Sequence, residues 1–173
     1  AKKIAEEKGV SVSWVQRDMR KIDFLDEFDG AICLFTSFGY FESEKEDFRV
    51  LSGVSQALMP GSRFVLDVEN RDGLLMRYQP RDWWETKSGD LVMEERRFDP
   101  VKGRGHAKIV LIDKGCKKMY DLSIRWYSVP ELDRMIKDAG MRIHSLYGGL
   151  DGSNYGLEAQ RLVLVAEKSW AKS

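Results

Sequence analysis

A chain of 173 residues that is 43% hydrophobic and 32% charged carries enough apolar material for one packed core and is too apolar for a disordered segment. Its 28 basic residues balance 28 acidic ones, so charge gives no reason to expect a nucleic-acid partner. No apolar run approaches the roughly 20 residues that span a bilayer, no signal peptide opens the sequence, and two distant cysteines suit a reduced, cytoplasmic chain with no membrane partner.

Ala1–Lys8 reads as the last turns of a helix closed by Gly9. That opening sets the expectation of a further segment upstream. Val10–Val15 alternates and predicts a strand. Phe28–Phe35 is nearly continuous in apolar residues, as in a parallel strand covered on both faces. Ser43 and Glu46 have the spacing of a capping box, and Phe48, Leu51, Val54 and Leu58 follow at helical intervals until Pro60 and Gly61 stop the helix. Arg63–Val68 is the next strand, which completes a strand–helix–strand unit.

A short helix is expected over Asp72–Tyr78, ending before Pro80. Asp90–Phe98, Arg104–Ile112 and Lys118–Trp126 then read as three strands separated by glycine-containing turns, an antiparallel meander inserted into an α/β core. Ser128 and Glu131 form a second capping box before a helix with Leu132, Met135, Ile136 and Ala139 on one face and Gly140 as its stop. Met141–Tyr147 and Arg161–Ala166 are the last strands; the second is apolar throughout and therefore expected in the middle of the sheet.

Three motifs in order carry a resemblance: Val15-Gln-Arg-Asp-Met19, Phe28-Asp-Gly-Ala-Ile-Cys-Leu-Phe-Thr-Ser-Phe-Gly-Tyr-Phe41, and Leu58-Met-Pro-Gly-Ser-Arg-Phe-Val-Leu-Asp67. Together they resemble the end of the third strand, the fourth strand with its following loop, and the turn into the fifth strand of class I S-adenosylmethionine-dependent methyltransferases. The resemblance implies a Rossmann-like α/β sheet, with strands three to seven present and an antiparallel insert. On that reading residues 1–82 form the core, 83–127 the insert, and 128–173 the closing helix and hairpin of the core. The family's glycine-rich cofactor loop, which follows its first strand, has no counterpart in these 173 residues. Phe35-Thr-Ser-Phe-Gly-Tyr-Phe41 and Asp151-Gly-Ser-Asn-Tyr155 look most like the members that act on small molecules.

The same resemblance implies S-adenosylmethionine as cofactor and a small-molecule acceptor. Asp18 would read the adenine amino group, as an acceptor-only carboxylate suits, and Met19 would pack on the ring. The alternatives are a turn aspartate and a core methionine. Leu34, Phe35, Thr36 and Ser37 would lie along the cofactor's methionine portion. Tyr40 and Phe41 would wall the transfer site, where aromatic faces attract a sulfonium; packing alone explains them equally. Trp83, Trp84, Arg125 and Tyr155 are candidates for an acceptor pocket, against a hydrophobic seam that fixes the insert to the core. His106 and His144 stand apart, and no His/Cys/Asp spacing suggests a metal. The competing reading is a non-catalytic, methyltransferase-like partner whose sheet is completed by a second chain or by self-association.

Overall fold

The computed structural model describes residues 2–170; Ala1 and residues 171–173, the outermost residues of the two core segments, lie outside the described part. Helix α1 (Lys2–Glu7) opens the chain. Strand β1 (Phe28–Cys33) leads through a loop to helix α2 (Glu44–Ala57), which passes directly into β2 (Leu58–Glu69). Helix α3 (Arg71–Met76) precedes a four-stranded meander: β3 (Arg81–Glu85), β4 (Leu91–Asp99), β5 (Arg104–Asp113) and β6 (Cys116–Arg125). Helix α4 (Val129–Asp138), β7 (Met141–Tyr147) and β8 (Arg161–Lys168) follow.

Two sheets result. The first has the order β1-β2-β8-β7, with β1 parallel to β2 and the other neighbours antiparallel. The second runs β3-β4-β5-β6 and is antiparallel throughout. The apolar last strand, β8, is interior as its composition requires. Even-numbered residues Phe64, Leu66 and Val68 of β2 and Leu162, Leu164 and Ala166 of β8 point to one face. There they meet Val50, Leu51 and Val54 of α2 and Leu132, Met135 and Ile136 of α4, which form the core with them. Both helices begin at the expected capping boxes. The Ser43 hydroxyl accepts from Glu46 N–H, and Glu131 Oε2 accepts from Ser128 N–H at 2.8 Å.

The strand expected over Val10–Val15 does not form. Residues 10–18 are irregular, and Val12, Trp14 and Val15 are each about half exposed. Alternation gives a segment a strand-like face, but a strand exists only with a hydrogen-bonding partner, and none lies beside it among the described residues. The sheet therefore ends at β1, whose Ile32 is 70% exposed. The meander gains a fourth strand, β3, around the two tryptophans.

The insert is tied to the loop after β1, where Gly39 O accepts from Arg125 N–H at 2.8 Å and Phe41 O from the Arg104 guanidinium, and it is packed internally by an aromatic stack. Trp126, just past β6, stacks on Phe98 of β4 with centroids 5.3 Å apart. Gly105 of β5 makes room for that ring, because a Cβ there would stand 2.6 Å from it.

Candidate functional site

β1 and β2 are parallel, so their carboxyl ends reach the same edge of the sheet, where open α/β sheets bind ligands. The chain leaves β1 through a tight turn in which Phe35 (φ 56°) and Thr36 (φ 57°) are both left-handed. That conformation costs a non-glycine residue roughly 1–2 kcal/mol, and two in a row need an external support. Asp67 supplies it. Its Oδ2 accepts from Phe35 N–H at 2.9 Å, and its main-chain carbonyl accepts from Thr36 N–H at 3.0 Å. The Ser37 hydroxyl donates to Leu34 O at 2.7 Å, which closes the turn. Thr36 Oγ1 is buried and has no partner. A buried hydroxyl without a partner is rare in folded proteins.

Asp67 is 1% exposed and faces a second partner, Arg161 at the start of β8, whose Nε donates to Oδ1 at 2.8 Å. Next to it, Asn70 is also 1% exposed and satisfies the loop between β7 and β8. Its Nδ2 donates to Gly156 O and Ala159 O, both at 2.9 Å, and its Oδ1 accepts from the Tyr155 hydroxyl at 3.1 Å. Tyr155 is thus held at the end of β2, half-buried against the core.

Asp18 caps a short 3-10 turn, Met19–Lys21, by accepting from Arg20 N–H. The Arg20 guanidinium also binds it, and these bonds hold the Asp18 carboxyl down at about 2. Arg20 continues to Glu46 at 2.5 Å and lies over the Phe41 ring, 4.4 Å from its centroid. Asp18 and Phe41 therefore flank one guanidinium, while Met19 packs on the core. Tyr40 is 48% exposed beside them.

Arg125 ends β6 as a junction. Its guanidinium meets Glu44 and Glu131, each at 3.0 Å, and lies over Tyr127. Burial alone would raise Glu131, but the Ser128 bonds and Arg125 overcome it and hold the carboxyl near 2. Below this network Tyr127 donates to the fully buried Asp47 at 2.6 Å. Burial pushes both the phenol and the carboxyl up. Trp83 and Trp84 are consecutive in β3 and so project to opposite faces of the meander; they are 71% and 41% exposed.

A cavity of about 430 Å³ separates the two sheets beyond the carboxyl end of β2. Glu69 and Arg161 wall it from the core, Tyr78 from the segment after α3, and Glu94, Arg96 and Trp126 from the insert. None of the six residues expected to bind an acceptor lines it. Burial raises the Glu69 carboxyl, with Arg161 opposing. Sequence reasoning missed Glu69, Asp67, Asn70 and Arg161. The available signal was a cluster of polar residues at the end of an apolar strand, where a buried charge needs a partner.

Several solved structures share this architecture. The CcbJ methyltransferase of Streptomyces caelestis superposes with a TM-score of 0.80 at 17% identity, over 90% of this chain and 63% of that one. An S-adenosylmethionine-dependent methyltransferase of Clostridium acetobutylicum superposes at 0.83 and 14% identity, over 98% and 70%. The fold is that of the S-adenosylmethionine-dependent methyltransferases. The sugar N-methyltransferase KedS8 of Streptoalloteichus extends the likeness, with a TM-score of 0.61 at 19% identity, over 96% of this chain and 67% of that one. The chain thus spans 63–70% of the length of these methyltransferases. No protein-family model and no curated protein matches the sequence. Among the described residues of this methyltransferase fold, no helix is long and apolar enough to cross a membrane.

Proposed function

We propose that the chain works as an S-adenosylmethionine-dependent methyltransferase on a small molecule that presents a nitrogen to the cavity between the two sheets. The observation that carries this reading is the pairing of that cavity with the pinned, left-handed turn after β1 at one edge of a methyltransferase fold. Three similar structures are described as N-methyltransferases, acting on a sugar, a glycopeptide and 1,6-didemethyltoxoflavin, which favours nitrogen over oxygen as acceptor.

The chain's residues suit the cofactor. Thr36 Oγ1 needs a partner, the Asp18 carboxylate would exchange part of its contact with Arg20 for an adenine amino group, and the aromatic faces of Tyr40 and Phe41 favour a sulfonium. Leu34, Phe35 and Ser37 complete that wall. Bound there, the cofactor would supply an electrophilic methyl group. The protein's own work is positioning, which is worth up to about 7–11 kcal/mol when the reacting atoms are aligned. Glu69, raised by its burial in the cavity wall, holds an ammonium and takes its proton so that the nitrogen lone pair is free.

Calorimetric titration of the demethylated cofactor into the product of the whole reading frame tests the reading. Measurable binding is expected, weakened in Thr36→Val and unchanged in Glu69→Gln, while Glu69→Gln loses turnover on amine acceptors. Absence of binding at any cofactor concentration sinks the proposal.

A further inference from the structure

The cavity between the two sheets carries charges that its own walls only partly pair. Arg77, Arg96 and Arg161 bring three guanidinium groups to it, and Glu69 and Glu94 bring two carboxylates. Arg96 and Arg161 are committed. The first binds Glu94 at 2.5 Å; the second turns to Asp67, with Nε donating at 2.8 Å and Nη2 lying 2.7 Å from the same oxygen. Glu69 and Arg77 are left over. Glu69 lies opposite Arg161 across the ladder of β2 and β8. It nevertheless feels Arg161, Arg96 and Glu94 only through space and accepts no hydrogen bond from them. Arg77 ends α3 and is exposed, and among the described residues its guanidinium reaches only the main-chain carbonyl of Glu158, at 3.5 Å. That contact is longer than an ordinary N–H···O bond.

The two unmatched groups stand at opposite ends of one short helix. Glu69 precedes α3 and Arg77 follows it, and a helix of six residues rises about 9 Å. Leu74, on the helix itself, and Trp126, from the insert, line the same cavity and give it apolar surface. A carboxylate, an apolar stretch and a guanidinium therefore share one space of about 430 Å³. Their chemical complement is an ammonium, a hydrocarbon and a carboxylate. On the methyltransferase reading given above, we propose that the acceptor is an amino acid: Glu69 receives its ammonium group, Arg77 its carboxylate, and Leu74 and Trp126 the carbons it carries.

Charge separates this class from its chemical neighbours. An amine without an anionic group satisfies Glu69 and leaves Arg77 unmatched. A diamine sets its second ammonium against Arg77, a like-charge contact that costs affinity. A phosphate monoester brings close to two negative charges, and Arg96 and Arg161, held by Glu94 and Asp67, are not free to answer the second. A carboxylate brings one charge, and the planar guanidinium fork binds it through two parallel hydrogen bonds. At an exposed arginine such a contact corresponds to about tenfold in affinity. Glu69, whose carboxyl burial raises, takes one proton from the ammonium. The freed lone pair forms the new nitrogen–carbon bond, the sulfur–carbon pair returns to sulfur, and the product leaves as an N-methylammonium carboxylate.

Binding rather than turnover tests the class, so that it can fail separately from methyl transfer. Glycine, γ-aminobutyrate and phenylalanine are titrated calorimetrically into the product of the whole reading frame, with and without the demethylated cofactor. Each is set beside its decarboxylated match: methylamine, propylamine or phenethylamine. The best-bound amino acid is expected to bind about tenfold tighter than its match. Arg77→Met should abolish that ratio and leave the Kd of the amine unchanged, whereas a merely structural Arg77 would weaken both ligands together. Arg77→Glu supplies a second variant, in which γ-aminobutyrate should lose to putrescine, the diamine of matching length. No binding of any of the amino acids, equal affinities for amino acid and amine, or a ratio that survives in Arg77→Met overturns the proposal. An Arg77-dependent ratio in a chain that does not bind the demethylated cofactor would keep the amino-acid site and sink the methyltransferase reading alone.

Discussion

At the scale of single residues, Asp67 does two jobs with one carboxylate. It props the turn after β1 and neutralises Arg161 at the start of β8 from a carboxyl that is itself buried. Truncating one partner of a buried ion pair strands the other, which costs about 3–5 kcal/mol. Asp67→Ala is therefore expected to lose that much stability in urea unfolding, whereas Asn keeps one acceptor and loses less. Glu131 makes a prediction about acid. Its carboxyl lies near 2 in the folded chain, against about 4.3 for a free glutamate. A depressed folded value means that its stabilisation is complete above the unfolded value and disappears as pH falls through the folded one. The urea midpoint should decline between about pH 4.5 and pH 2, and Glu131→Gln should flatten that decline. Identical slopes in the two proteins would show that other carboxylates govern the transition.

These residues also mark where the sequence was mute. Glu69 and Asp67 look like ordinary punctuation at the end of an apolar run, and nothing in one sequence shows that Arg161, 94 positions later, will lie against Asp67. Trp83 and Trp84 show a different limit of sequence reading. Adjacent aromatics suggest one pocket, but a strand sends consecutive side chains to opposite faces.

At the scale of elements, local chemistry was legible wherever it was self-sufficient. The two capping boxes, the helical spacing of Leu51 and Val54, and the apolar run of β8 each declare their element without help from a distant partner. Val10–Val15 has a strand's alternation but no partner among the described residues, so no strand forms there. Packing within the insert depends on a different local rule, the absence of a side chain at Gly105. Gly105→Ala would force a methyl group against the Trp126 ring. Overpacking of this kind costs about 1–3 kcal/mol. The expected signature is a lower melting temperature with a shift in Trp126 fluorescence, since the ring must leave its stack on Phe98.

At the scale of the whole molecule, the buried residues concentrate in β2, β8, α2 and α4, while the far end of the insert, residues 114–121, is exposed along its length. Amide exchange should follow that division. Protection is expected to be greatest in β2 and β8 and least at the β5–β6 turn, as read by mass spectrometry of peptides from exchanged protein. Equal protection in both sheets would mean that they open as one unit.

The interior position of β8 has a further consequence for how the chain is made. Val65 pairs with Val165, a hundred residues later, and among the described residues β7 has no partner strand other than β8. During synthesis β1, β2, both long helices and the entire insert emerge before the strand that joins them. Until Arg161–Lys168 leaves the ribosome, β2 and β7 each present an unpaired edge, and the apolar face of β2 has no neighbour on that side. Contacts of such long range form late and slowly, so the nascent chain passes through an interval in which aggregation competes with folding, and that interval closes with the arrival of eight residues.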